Sequence, residues 1–142
     1  MTEIWKDVVG YECLYQVSNL GRIKSVFRNI NHKPYNITIK ERIIKQTMDR
    51  KGYYYVNLSK QGKVKCCRVH QLVGKAFIPN PNNLVEINHI NGIKTCNIVD
   101  NLEWVSHKEN MQHARKNGLF SQDGIMRSVN AMIKEHKRKS GN

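Results

Sequence analysis

The stretch from Glu86 to Gly118, E-I-N-H-I-N-G-I-K-T-C-N-I-V-D-N-L-E-W-V-S-H-K-E-N-M-Q-H-A-R-K-N-G, leaves the chain few ways to fold. A short apolar run from Leu84 to Asn88 reads as a strand, and Asn91-Gly92 behind it is a strong tight-turn signal, because such turns need residues that tolerate positive φ. Leu102 to Val105, which contains Trp104, reads as a second strand. Ser106 with Glu109 three positions on makes a capping box, and Gly118 behind Arg115, Lys116 and Asn117 is a stop, so a helix is predicted from His107 to Asn117. This order sets His89 at the end of the first strand and Asn110 in the first turns of the helix.

At 142 residues the chain suits one ordinary domain, or two small units that share a modest core. Its 24 Lys and Arg against 11 Asp and Glu give a formal charge of +13, which a protein this small is expected to carry only when a polyanion neutralises it. Nucleic acid is the leading partner. From Cys13 to Val85 there are 14 basic residues and two acids, whereas Glu86 to Asp123 holds four basic residues and five acids. From Gly124 onward five basic residues face one acid, Glu135. A near-neutral centre between two positive arms is expected if the arms hold a phosphate backbone and the centre acts on it.

Other classes are disfavoured. No apolar run approaches the roughly 20 residues needed to span a bilayer, and the N-terminus has no signal pattern, so a soluble, cytoplasmic protein without membrane contact is expected. Cys13, Cys66, Cys67 and Cys96 form no C-x-x-C pair, which argues against a zinc knuckle; Cys66 and Cys67 point to opposite faces if they lie on a strand.

The N-terminal half reads as basic strands. Ile4 to Val9 is a short run, and Tyr15, Val17, then Ile23, Ser25 and Phe27 read as two strands about the turn Ser18 to Gly21, where Gly21 supplies positive φ. The second strand sets Arg22, Lys24, Val26 and Arg28 on one face. Residues 29–38 read as a polar loop. Ile43 to Met48, Tyr53 to Ser59 and Lys63 to Val69 then form a three-stranded meander with Arg50, Lys51, Lys60 and Lys63 in its turns. The Tyr53 to Tyr55 triplet reads as part core and part sheet surface, with base stacking as the alternative. Val69 to Phe77 has the apolar spacing of a short helix ended by Pro79 and Pro81, with His70 on or beside its polar face in a structural role.

With His89, Asn101 and Asn110 in this order, the central unit resembles the HNH nuclease motif, and I-N-H-I-N-G-I-K with D-N-L-E-W-V-S resembles its bacteriophage and intron-encoded homing endonuclease branch. The string E-I-W-K-D-V-V-G-Y-E-C-L-Y-Q-V-S-N-L-G-R-I-K-S-V is similar to the nuclease-associated modular segment that precedes the motif there. The resemblance implies an α+β protein with a basic strand-rich DNA-binding segment (1–68) and a ββα-metal nuclease unit (69–119); behind them the apolar spacing of Ile125, Val129, Met132 and Ile133 reads as a short basic C-terminal helix or tail (120–142).

It implies a metal-dependent endonuclease cutting or nicking duplex DNA, with His89 as general base, Asn101 holding the loop that orients it, and Asn88 and Asn110 binding one divalent ion, Mg²⁺ before Mn²⁺, with zinc disfavoured. Arg22, Lys24, Arg28, Arg50, Lys51, Lys60, Lys63, Lys65 and Arg68 are the expected DNA contacts. A phage-encoded protein acting in a bacterial host as a monomer or homodimer is expected. Asn88 stands where many members carry Asp or His, and this motivates the alternative of a DNA-binding protein with an impaired site. A basic RNA-binding protein is the third reading.

Overall fold

Apolar side chains from both halves of the chain meet in one buried cluster. Val8, Tyr15, Val17, Ile23, Val56 and Leu58 pack there with Val69, Leu72, Val73, Ile87 and Leu102. Each such side chain removed from water contributes roughly 1.5–3 kcal/mol, so neither half is expected to keep its stability without the other. The computed structural model describes residues 1–118. The helix expected within 120–142 lies outside them.

In chain order the strands are β1 (Trp5–Asp7), β2 (Tyr15–Ser18), β3 (Ile23–Ser25), β4 (Arg28–His32), β5 (Tyr35–Ile39), β6 (Arg42–Ile43), β7 (Thr47–Met48), β8 (Tyr54–Lys60) and β9 (Lys63–Arg68). Helix α1 (Val69–Phe77) follows, then β10 (Glu86–His89), a 3₁₀ turn (Val99–Asn101), β11 (Leu102–Val105) and α2 (His107–Asn117). Four strands form an antiparallel sheet in the order β1-β2-β3-β6, and β7-β8-β9 form a three-stranded meander. Helix α1 lies across the joint, packed on β1 and β2, on β8 and β9, and on β10 and β11. Its Gly74 permits this contact: a Cβ there would fall 2.1 Å from Ile87 Cδ1, the tip of a side chain that would have to turn aside.

Three expectations for the N-terminal half are corrected. Residues 29–38 are no loop; they pair as the ribbon β4-β5, in register Asn29↔Thr38 to His32↔Tyr35, with Thr38 Oγ1 donating to Asn29 Oδ1 at 2.9 Å. Their exposure on both faces hid them, because polar residues stand where a half-buried strand would alternate. The strand expected through Arg28 stops at Ser25; Phe27 is exposed and Arg28 opens β4. Finally, Ile43 to Met48 divides between β6 and β7, which belong to different sheets.

The C-terminal unit follows its local signals. Ser106 accepts from Glu109 N–H at 3.2 Å while the Glu109 carboxylate accepts from Ser106 N–H at 2.9 Å, and Gly118 closes α2 at φ 63°. Ser106→Ala should therefore lower stability by about 1 kcal/mol, read as a shifted urea midpoint with unchanged slope.

Candidate active site

Strand alternation sorts the residues of β10 onto two faces. Glu86 and Asn88 face α2, where Asn110 Nδ2 donates to Glu86 Oε2 at 2.6 Å and His107 Nδ1 donates to Glu86 Oε1 at 2.6 Å. The His107 bond, then the Asn110 bond, hold the Glu86 carboxyl below its usual range. Asn88 is buried and its Nδ2 donates to Glu103 Oε1, 2.9 Å away on the paired strand. Each amide thus donates one N–H to a carboxylate, which leaves its oxygen as an acceptor. Those two carboxylates stand one bond behind the amides and were not foreseen.

Ile87 and His89 take the opposite face. The His89 ring is buried, 5.0 Å from the His70 ring and 5.9 Å from that of Tyr53. Its Nε2 lies 2.8 Å from Asn97 Oδ1. An amide oxygen can only accept, so this nitrogen carries the proton and the neutral ring keeps Nδ1 as a base. Burial pushes the His89 pKa down, the Asn97 bond raises it and the nearby Lys94 charge lowers it again. The net direction is down, which keeps the ring neutral at physiological pH.

Asn101 lies where it can shape the loop after His89. Its Oδ1 accepts from Asn91 N–H at 3.0 Å, and its Nδ2 donates to Asn91 Oδ1 at 3.0 Å and to the Cys96 carbonyl at 2.9 Å. Its backbone carbonyl accepts from Ile90 N–H at 2.8 Å. Trp104 donates to the Ile78 carbonyl and packs on the core. His113, on α2, is tied to the Ile90 carbonyl at 3.1 Å.

His70 is corrected in position. It is 4 % exposed, inside α1 rather than on its polar side, with its Nδ1 buried and without a hydrogen-bond partner among the described residues. Burial, His89 and Arg68 push its pKa down to about 3, so it stays neutral beside His89. No local signal marked it, because its neighbour comes from a strand 19 residues on. Asn97 was missed for a similar reason: it sits eight residues after His89 in a loop already rich in Asn.

The expected DNA contacts fall into two groups. Arg22 is paired with Glu3 and stacked on Trp5, Lys24 bonds Glu41 at 3.1 Å, and Arg68 pairs with Asp49 at 3.1 Å. Arg28 donates to the Leu14 and Val26 carbonyls, and Lys60 to that of Gly10. Arg50, Lys51, Lys63 and Lys65 are exposed, and among the described residues their side chains hold no ion pair. Lys94, absent from the expected set, reaches the Lys51 carbonyl at 2.8 Å and lies over the Tyr53 ring.

The donor set fits a hard divalent ion only in part. Among the described residues no three His, Cys, Asp or Glu side chains gather as a metal cage. An ion that retains waters and leans on substrate phosphate needs only one or two protein oxygens, and Asn88 and Asn110 can offer those, backed by Glu103 and Glu86. The four cysteines are free; Cys66 is exposed and Cys67 half-buried, as opposite strand faces require. No helix among the described residues is long and apolar enough to cross a membrane.

Two strands and a capped helix, with a histidine closing the first strand and its loop pinned by an asparagine, define a ββα nuclease unit. Residues 3–59 match the NUMOD4 motif and residues 67–112 the HNH endonuclease family. An uncharacterized HNH endonuclease of Acanthamoeba polyphaga mimivirus is 38% identical over 119 residues, 84% of this chain and 32% of that protein. The DNA endonuclease I-HmuI of Bacillus phage SP01 is 32% identical over 117 residues, 82% of this chain and 60% of that enzyme. A solved structure of the HNH homing endonuclease I-HmuI matches with a TM-score of 0.67 at 31% identity, covering 89% of this chain and 66% of that one. By these matches the chain carries an HNH endonuclease unit with a NUMOD4 motif ahead of it, and its fold is similar to that of the HNH homing endonuclease I-HmuI. It spans between about a third and two thirds of the length of these relatives.

Proposed function

We propose that the protein is a metal-dependent endonuclease that hydrolyses phosphodiester bonds in duplex DNA. The observation that carries this reading is the buried His89–Asn97 pair, which leaves His89 Nδ1 as a base at the end of β10, beside Asn88. In the reaction His89 Nδ1 takes a proton from water as the water oxygen bonds to phosphorus. The bond from phosphorus to the 3′ oxygen breaks, and that oxygen leaves. Asn101 keeps the loop in register, and Asn88 and Asn110 would hold one divalent ion, Mg²⁺ before Mn²⁺, which when bound would supply charge stabilisation for the phosphate and the departing oxygen.

Arg50, Lys51, Lys63 and Lys65 follow the DNA backbone. The phage relative supports action on DNA inside a bacterial host, as a nicking monomer or as a dimer that cuts both strands.

Metal binding tests the Asn88 assignment. Asn88→Asp sets a carboxylate against that of Glu103, two like charges at hydrogen-bond distance. The metal-free variant should melt below wild type, and Mg²⁺ should raise its melting temperature by more than it raises that of wild type. Equal Mg²⁺ shifts in the two proteins would remove Asn88 from the metal site. Plasmid nicking that proceeds unchanged in excess EDTA would defeat metal dependence altogether.

A further inference from the structure

The turn Ser18 to Gly21 of the N-terminal segment presses on the loop that carries Asn97. Gly21 has φ +84°, and a Cβ there would fall 2.9 Å from Asn97 Cβ and 2.9 Å from the Asn97 carbonyl oxygen. Neither neighbour is a side-chain tip that could swing aside, so the two segments meet without room for a methyl group. On the other flank of Asn97, Val99 N–H donates to the Asn19 carbonyl at 2.9 Å. The N-terminal segment therefore meets the loop at the residue that accepts from His89 and holds it again two residues later.

The turn itself cannot yield easily. Ser18 Oγ accepts from the N–H groups of Leu20 at 3.2 Å and Arg22 at 3.0 Å. The Asn19 side chain accepts from Ile4 N–H at 2.7 Å and donates to the Thr2 carbonyl at 3.0 Å. Gln46 donates to the Gly21 carbonyl at 2.6 Å. Five bonds thus brace a four-residue turn, far more than a connection between β2 and β3 requires. Asn97, at 5 % exposure, has little freedom to follow any displacement.

We propose that Gly21 is a positioning residue for catalysis: the turn it closes fixes Asn97, and through Asn97 the proton on His89 Nε2 and the aim of Nδ1. The N-terminal segment is then part of the cutting machinery as well as a means of holding DNA. This rests on His89 acting as the base. A nuclease unit moved onto another DNA-binding segment would need the same brace rebuilt, whatever the new segment's affinity.

Gly21→Ala tests it in the full chain. Misplacing a catalytic group by about 1 Å costs on the order of 10²-fold, so kcat for plasmid nicking should fall about 10- to 100-fold while the Kd for duplex DNA stays within about twofold. Long-range ¹⁵N–¹H NMR of the imidazole should show one Nε2–H tautomer for His89 in wild type and a mixture in the variant. Should Gly21→Ala fail to fold, Gly21→Asn serves, because Asn tolerates positive φ better than other residues that carry a Cβ. It sets the same Cβ against Asn97, so kcat and the His89 tautomer should respond as in Gly21→Ala, with the Kd for duplex DNA unchanged.

A folded Gly21→Ala or Gly21→Asn protein with wild-type kcat and a single tautomer would overturn the proposal. Inactivity of His89→Ala alongside either result confines the failure to the positioning role. Full activity of His89→Ala would instead remove the base on which the proposal stands.

Discussion

His89→Ala should bind duplex DNA within about twofold of wild type and cut it about 10²- to 10⁴-fold more slowly, the range lost when a positioned general base is removed. The effect is expected to be confined to chemistry because His89 is buried against His70 and Tyr53, whereas the cations expected to meet DNA are exposed. Truncation of a buried ring also costs stability, so His89→Gln, which refills most of the space without restoring a base, should lose nearly as much activity while folding better.

The pH profile gives an independent check. If His89 is the base, the neutral ring is the form that acts, and burial lowers its pKa, so activity should be flat from pH 8 to 7 and fall only as the pH drops through a value below the ordinary 6.5. A limb centred above 6.5 would assign the titration to another group. Nicking by His89→Ala at more than a tenth of the wild-type rate would end the reading of His89 as base.

Local chemistry made part of this site readable in the sequence, and long-range contact hid the rest. The capping box at Ser106 and the stop at Gly118 act within one turn of helix, and both bounds of α2 follow from them. His89 at the end of a strand and Asn101 at the end of the following loop are likewise set by residues near them. His70, by contrast, looked like an ordinary helical histidine, because its partner His89 lies on β10. Asn97 carries no distinguishing neighbours, and its role follows only from His89 on one side and Gly21, 76 positions earlier, on the other.

Glu86 and Glu103 show a related limit. The absence of a carboxylate among the expected metal ligands reads as a deficit of charge, yet both amides rest on a glutamate that only strand pairing and helix packing bring there. The ribbon β4-β5 failed for the opposite reason. It buries too little for alternation to be visible, although its register is regular over five pairs.

Salt dependence separates the cations that hold DNA from those that hold the protein. Each phosphate contact contributes about 0.9 to the slope of log K against log salt, so nine contacts would cost about 7 × 10⁴-fold between 50 and 200 mM, and four about 150-fold. The smaller number is expected from the nine residues first read as DNA contacts. Arg22 bonds Glu3, whose carboxyl it holds at about 2, and its departure toward phosphate would leave that carboxylate facing the same phosphates. Arg28 would abandon the Leu14 and Val26 carbonyls, and Arg68 would abandon Asp49.

Arg50, Lys51, Lys63 and Lys65 carry no such obligation among the described residues. Replacing these four together by Ala should make the slope less steep by about 3.6, whereas Arg22→Ala with Lys24→Ala should change it by less than about 0.5. Fluorescence anisotropy of a labelled duplex across a salt series gives both slopes. Every other charge in the chain is common to all three proteins and cancels in the differences. A change near 1.8 in the double variant would mean that the Glu3 and Glu41 pairs open on DNA, and that the sheet β1-β2-β3-β6 belongs to the binding surface after all.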